Sequence, residues 1–468
     1  MRKTKIVCTI GPASSSPEAL AALVKAGMDV ARLNFSHGSH DEHAARIAAI
    51  RQVSDQAGRL IGIIQDLSGP KMRLGELRRG PVMLEAGREF VFTSRDVIGD
   101  SHEVNLPYPD LIAQVRRGAS VYVDDARLEF RVVSASHTDV VTTVVVGGEL
   151  GSRKGVTVPG CKLTQPSLTK KDEDDLAFGL RAGVDWIAAS FVRSPDDIHP
   201  IRRVTHEVGV HAPVIAKIER PEAVAQIDEI IEAFDAIMIA RGDLGIELPI
   251  EKVPLIQKSI IRKCNAAGKP VITATQMLDS MAHNPQPTRA EVSDVANAIL
   301  DGADATMLSG ETAVGEYPVR TVRMMARIAA ATERALARDG SARREPAANV
   351  TDAIGEAAAE LADDLNLPAI ITSTATGATA RRISKYRPSA RIIAATPHAA
   401  VARQLTLSWG VTPIVVPVSK TTDETIEQAI AAAREAKLVK LGDAIVVTGG
   451  FPVGVPGRTN LIKVEKVG

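Results

Sequence analysis

The sequence predicts an α/β protein built on a (β/α)8 barrel, with an all-β unit inserted into it and a smaller α/β unit after it. Three observations lead there. Eight short apolar runs rich in β-branched residues recur between Lys5 and Gly310, most of them separated by helix-length amphipathic segments, as in a parallel sheet covered by helices. Between the third and fourth runs the period shortens to two, with turn residues at the joints. At 468 residues the chain exceeds one hydrophobic core, and at roughly 100–200 residues per domain about three units are expected.

The eight runs are KIVCTIG from Lys5, VARLNFS from Val30, IGIIQDL from Ile61, WIAASFV from Trp186, PVIAKIE from Pro213, AIMIARGD from Ala236, PVITATQ from Pro270 and ATMLSG from Ala305. Eight such strands close into a barrel whose active-site groups gather at the strands' carboxyl ends. Residues 1–70 and 167–338 are assigned to it. The alternating runs SVYVDDARLEFRVV from Ser120 and VVTTVVV from Val140 carry the insert, residues 71–166, expected as a small β-barrel. After Arg320 a helical stretch runs into ARDGSARREPAANV, a polar linker. The runs AIITSTA, ARIIAAT, VTPIVVP and DAIVVTG then alternate with helices in a final unit, residues 351–468.

Acidic and basic side chains balance at 56 each, so no long-range field draws the chain to nucleic acid or an anionic membrane, and a small-molecule partner is expected. Cys8, Cys161 and Cys264 have neither disulfide-framework nor zinc spacing. Met1 to Lys5 lead into no signal-peptide stretch, and no window approaches eighteen uninterrupted apolar residues. A cytoplasmic location follows as the expectation, and the sequons at Asn34 and Asn349 then carry no meaning.

Side chains two apart on a strand share a face, so Arg32, Asn34 and Ser36 point together, as do Lys217 and Glu219, while Ala216 and Ile218 take the apolar side. Barrel interiors are normally Val, Ile and Leu, and an unpaired cation buried there costs roughly several kcal/mol. A strand-end salt bridge explains any one such residue. Arg32, Asp66, Lys217, Glu219, Asp243 and Thr275 all fall at carboxyl ends of different runs, however, and together they indicate an active site. Glu219 and Asp243 offer hard oxygen ligands with no nearby His or Cys, suiting Mg²⁺ or Mn²⁺. With Lys217 and Arg32 as fixed positive charge, the set fits phosphoryl transfer. No GxxxxGK[ST] loop is present. His37, His40 and His43 straddle a strand end and a helix start, so no three-His metal site is expected, and KKDEDD from Lys170 reads as a solvated helix face.

The motifs RLNFSHG, GPKMRLG, RKGVTVPG, IAKIERPEAV, RGDLGIELP, ATQMLDSM, PTRAEVSDVANA and MLSGETAVGEYP, in that order, resemble the pyruvate kinase family from Lys5 to the C-terminus. The resemblance implies a TIM barrel split by a lid and followed by a regulatory α/β domain, with transfer of the phosphoryl group of phosphoenolpyruvate to ADP giving pyruvate and ATP. It implies that Arg32, Lys217, Gly242, Asp243 and Thr275 contact phosphoenolpyruvate and that Glu219 and Asp243 bind the divalent metal. Lys217 is the expected stabiliser of the phosphoryl group in flight, with Thr275 and Ser309 on the polar side of the proton path to the enolate. Asn34, Phe35, Ser36, His37, Arg73 and Lys154 resemble the ADP-phosphate contacts, Lys154 lying on the lid. A homotetramer is implied as well.

One departure is informative. Many members of the family hold K⁺ with Asn, Ser, Asp and Thr and carry Glu after the GP pair, whereas QDLSGPKMR here has Leu67 in the Thr position and Lys71 in the Glu position. The Lys71 ammonium, with Asn34, Ser36 and Asp66 as neighbours, is expected to replace K⁺. In the last unit Thr374, Thr376, Gly377 and Thr379 offer hydroxyls and N–H groups at a helix start, where the family's effectors place a phosphate. An ordinary Thr-rich cap is the plainer reading. GGFPVGVPGRTN does not match the loop of the fructose-1,6-bisphosphate-activated enzymes, which favours a sugar monophosphate or AMP. Two rivals stay open on the sequence: a metal-dependent lyase or aldolase acting on a pyruvate enolate, which needs no lid, and a metabolite sensor that has lost its chemistry.

Overall fold

The computed structural model describes residues 2–162, 164–339, 347, 349–419, 421–450 and 459–468. Each of the eight runs supplies one strand: β1 (Lys5–Thr9), β2 (Val30–Asn34), β3 (Gly62–Asp66), β4 (Trp186–Ala189), β5 (Val214–Ile218), β6 (Ala236–Ala240), β7 (Val271–Ala274) and β8 (Ala305–Leu308). They close into a parallel barrel in which chain neighbours are spatial neighbours and β8 returns to β1.

Strand parity divides the apolar residues between two cores. Val30, Ile64, Trp186, Ala188, Ile215, Met238 and Ile272 form the barrel interior. Ala31, Leu33, Ile63, Ile187, Ala216 and Ile218 join the outer core under the helices. One step of two residues beyond the interior layer, toward the carboxyl ends, brings Arg32, Asp66, Ser190 and Lys217 onto the same inward face. The apolar floor and the polar mouth are thus one pattern read along each strand.

The insert leaves the barrel after β3. Its strands pair as a six-stranded sheet in the order Val156–Thr157, Ser120–Val123, Leu128–Ala135, Asp139–Val146, Glu89–Thr93, Glu103–Asn105, beside the ribbon Val82–Leu84 with Gly148–Leu150. Among the described residues this sheet has two edges, where a closed β-barrel was expected; the edge strands, two and three residues long, pair only inward. The run from Ser120 splits into a hairpin because Asp124, Asp125 and Ala126 all take positive φ. A short helix, Pro109–Gln114, also interrupts the all-β pattern.

The final unit has strands in the order Val411–Val415, Arg391–Thr396, Ala369–Ser373, Ala444–Gly449, Leu461–Lys466, all parallel except the last. The four expected runs are present, and Leu461–Lys466 adds an antiparallel edge. The order reverses between Ala369–Ser373 and Ala444–Gly449, the kind of switch point where open α/β sheets bind ligands. Helix Pro318–Asp339 ends at the expected linker, most of which lies outside the described residues.

The final unit plugs the amino end of the barrel. The turn Leu405–Leu407 sends Leu407 into the barrel-interior core, and Trp186 Nε1 donates to the Gln404 carbonyl at 3.1 Å. Arg403 pairs with Asp185 at 2.7 Å and Arg387 with Asp304 at 3.1 Å.

Candidate active site

At the carboxyl end of the barrel the charges are paired in a chain. Arg32 Nε donates to Asp66 Oδ2 at 2.6 Å and its Nη1 to Thr9 Oγ1 at 2.8 Å. The other Asp66 oxygen lies 3.2 Å from Lys217 Nζ, which also meets Glu219 Oε1 at 2.9 Å and Ser190 Oγ at 2.7 Å. Burial alone would lower the Lys217 pKa, but Asp66 and Glu219 outweigh it and raise it, so the ammonium stays charged. Burial would raise Asp66, and Lys217 with Arg32 hold it low instead. These pairings meet the cost of placing charge inside a barrel.

Glu219 is different. Burial pushes its pKa up, the Lys217 ammonium opposes this, and Asp243 adds to the push, so the two carboxylates repel each other. Besides Lys217 on Glu219 Oε1, the Phe191 N–H donates to Glu219 Oε2 at 2.6 Å, and Lys71 Nζ lies 3.7 Å from Asp243 Oδ1. Two repelling hard-oxygen donors suit a divalent cation, and among the described residues no trio of His, Cys, Asp or Glu builds a fuller cage. Mg²⁺ commonly takes its remaining ligands from substrate and water.

Asp243 and Gly242 lie in the first turn of the helix Arg241–Glu247, which starts directly after β6. The Gly242 N–H donates to Thr275 Oγ1 at 2.7 Å, and Thr275 itself takes a φ of 66° after β7. Thr275 and Gly242 therefore come together as expected. Ser309, at the end of β8, has its N–H tied to Glu311 Oε2 at 2.6 Å, and no hydrogen bond among the described residues links it to Thr275.

The residues matched to ADP contacts form a second cluster with one exception. His37 is held below its ordinary pKa by burial and then by Arg73, Lys71, Arg32 and Lys171, which locates a concentration of positive charge around it. Arg73 bridges Gly155 across the insert, next to Lys154, whose ammonium pairs with Asp124 at 2.9 Å. Asn34 Oδ1 accepts the Ser36 N–H at 3.1 Å. The exception is Phe35: its ring is buried and stacked on His43 at 3.9 Å, so it offers the cleft no side chain. His43 stacks on Phe35 and meets the His37 carbonyl at 2.9 Å, and His40 packs against Asp175 and Phe178.

Lys71 is not where its neighbours were expected. Its ammonium lies 3.0 Å from Asp125 of the insert and 3.7 Å from Asp243, rather than on Asn34, Ser36 or Asp66, and these two carboxylates raise its pKa against the effect of burial. The charge run from Lys170 is also only partly a solvated face. Asp172 and Asp175 are buried, Asp172 accepting from Thr169 in a capping box and from the Gly69 N–H at 3.2 Å. In the final unit the Gly377 N–H donates to Thr374 Oγ1 at 2.9 Å and Thr379 Oγ1 meets Thr459 Oγ1 at 2.8 Å. Most of GGFPVGVPGRTN lies outside the described residues.

Ser190, Phe191, Thr9 and Asp125 were missed by the sequence reading. The parity rule would have found Ser190, two residues beyond Ala188 in WIAASFV, and Thr9, two beyond Val7 in KIVCTIG; Phe191 and Asp125 carry no such signal.

Comparison with known proteins decides among the candidate chemistries. The family model described as pyruvate kinase, barrel domain, matches residues 1–322, and that described as pyruvate kinase, alpha/beta domain, matches residues 352–465. The chain belongs to the pyruvate kinase family. It is 51% identical to the pyruvate kinase of Geobacillus stearothermophilus over all of this chain and 80% of that protein, and 49% identical to that of Staphylococcus haemolyticus over all of this chain and 81% of that one. A crystal structure of a pyruvate kinase from Cryptosporidium parvum superposes with a TM-score of 0.91 at 40% identity, covering all of this chain and 96% of that one. Pyruvate kinases move the phosphoryl group of phosphoenolpyruvate to ADP, need a divalent metal as a family, and that reaction is this chain's, which sets aside the lyase and sensor readings. No described helix is long and apolar enough to cross a membrane.

Proposed function

We propose that the carboxyl face of the barrel runs this reaction with Lys217 as its central charge. Arg32 and Lys217, on either side of Asp66, bind the phosphoryl group of phosphoenolpyruvate, while Gly242 and Thr275 hold its other end. The P–O bond to the enolate oxygen breaks as a bond forms to a β-phosphate oxygen of ADP, and Lys217 balances charge on the moving group. The enolate left behind takes a proton at its methylene carbon to give pyruvate, with Thr275 and Ser309 lining the polar side of that path. Glu219 and Asp243 would hold Mg²⁺ or Mn²⁺, which when bound neutralises phosphoryl and enolate oxygens. Asn34, Ser36, His37, Arg73 and Lys154 receive the ADP phosphates, and Phe35 serves as backbone and packing. The observation that carries this reading is the Lys217 ammonium held by Asp66, Glu219 and Ser190 while remaining charged.

Lys71, between Asp125 and Asp243, supplies in place of K⁺ the positive charge near the metal carboxylates, so activity requires no monovalent cation. Residues 71–166 act as the lid, and 351–468 as the regulatory unit, taking a sugar monophosphate or AMP at Thr374, Thr376, Gly377 and Thr379. The switch point of the final sheet and the hydroxyls gathered there support that site. A cytoplasmic homotetramer is the assembly in which the enzyme works.

The test is Lys217→Met, followed by pyruvate formation and thermal melting. Folding is retained and turnover falls by about 10²-fold or more, the effect of losing one preorganised charge contact. Near-normal turnover would contradict this division of roles.

A further inference from the structure

Two adjacent residues that bind no substrate in the roles above touch both halves of the reactive centre. Ser190 Oγ accepts the Lys217 ammonium at 2.7 Å and donates its single proton to the Leu67 carbonyl at 2.7 Å, the nearer of two acceptors, Asp66 Oδ1 lying at 3.4 Å. The next residue, Phe191, donates its N–H to Glu219 Oε2 at 2.6 Å from a φ of 54°, a conformation a bulky side chain keeps only when its surroundings impose it. The imposing contact is its own ring, which packs against the apolar core of the insert and not against the barrel.

The same elbow meets the point where the chain departs for the insert. Gly69 has a φ of 64°, and a Cβ placed there would lie 2.9 Å from both Ser190 Cβ and Phe191 Cδ2. Its carbonyl accepts the Lys71 N–H at 2.9 Å. One end of the elbow is therefore seated under the insert and its hinge, and the other end carries the hydrogen bonds that orient Lys217 and Glu219.

We propose that Ser190 and Phe191 are a positioning pair that ties the placement of the insert to the alignment of Lys217 and Glu219. Seating the Phe191 ring in the insert core sets the direction of the Phe191 N–H and with it the orientation of the Glu219 carboxylate, whose other oxygen is held by Lys217. Ser190 sets the direction of the Lys217 ammonium between its two carboxylates. The insert thus does more than cover the cleft: its position reports to both groups through two adjacent residues. The inference rests on the roles proposed above for Lys217 and Glu219.

The test uses the full chain and reads kcat, KM for phosphoenolpyruvate, the half-saturating Mn²⁺ concentration from direct binding followed by the EPR signal of free Mn²⁺, and the melting temperature. Phe191→Gly keeps the N–H and accepts positive φ but removes the ring; it raises the half-saturating Mn²⁺ concentration about tenfold, as loss of a partner behind a metal ligand does, and Phe191→Leu restores most of it. Ser190→Ala lowers kcat about tenfold with KM for phosphoenolpyruvate within about twofold, and has no further effect in a Lys217→Met background because it acts through that lysine. Unchanged Mn²⁺ dependence in Phe191→Gly, or an equal loss in Phe191→Leu, overturns the pair, as does an independent effect of Ser190→Ala on top of Lys217→Met. Should Phe191→Gly show no melting transition, the Ser190 cycle decides alone. Glu219→Gln in the same assay separates the two levels: if it leaves the Mn²⁺ requirement unchanged, the metal role of Glu219 fails and the inference with it; if it raises that requirement while Phe191→Gly does not, only the positioning pair is wrong.

Discussion

Asp243 lies 3.7 Å from the Lys71 ammonium, and Lys71 is in turn shared with Asp125 on the insert. A lysine so placed brings a fixed charge to the metal side of the cleft without needing an ion from solution. Changing Lys71→Glu removes that charge and installs its opposite beside two carboxylates, so the rate in K⁺-free buffer should fall by about tenfold or more and recover in part with added K⁺. Initial rates with and without K⁺ check this, and equal K⁺-independent rates in variant and parent would contradict it. At this scale the sequence was informative where chemistry and parity coincide: a Lys and a Glu two apart on a strand named Lys217 and Glu219. It was silent where the contact is made by backbone, as at Phe191, or by a partner distant in sequence, as Asp125 is for Lys71.

The strands were legible because each is a short apolar run flanked by helix-length segments, and all eight barrel runs became strands. What was not legible is non-local. In the run from Ser120 only the Asp124–Asp125 pair marks the positive-φ turn that extends to Ala126, since neither Gly nor Pro occupies it. Nothing around Leu405–Leu407 announces that it fills the floor of a barrel formed by other segments. That contact makes a specific demand on β3. A Cβ on Gly62 would fall 2.6 Å from Thr406 Oγ1 and 2.9 Å from the Arg403 carbonyl. Gly62→Val, favourable for a strand in isolation, should therefore destabilise the chain by about 1–3 kcal/mol through overpacking, read as a lower melting temperature. An unchanged or raised melting temperature would show that the turn yields freely.

Across the whole molecule, the barrel's amino end and the final unit meet through charged and buried groups, and this joint has its own pH response. Lys5 Nζ donates to the Val411 carbonyl at 2.6 Å, and burial, only partly offset by Asp29, lowers its pKa from 10.5 to about 8. Between about pH 8 and 10.5 the unfolded chain keeps a proton here that the folded chain has released, so stability rises with pH across this window. Below pH 8 the cost of the buried charge is fully present. Lys5→Met should remove that slope, measured as the difference between parent and variant melting curves, and parallel curves would contradict it. The order of units was readable from the change in periodicity along the chain. How the units contact one another was not, because it depends on residues such as Lys5, Arg387 and Arg403 that look like ordinary surface charges in the sequence. The claim that joins these scales is that a fixed ammonium at Lys71 completes a phosphoryl-transfer site centred on Lys217. Its most direct measurement is pyruvate formation from phosphoenolpyruvate, ADP and Mg²⁺ in a buffer free of K⁺, repeated with K⁺ added. The account predicts full activity in both buffers; activity only with K⁺ would contradict it.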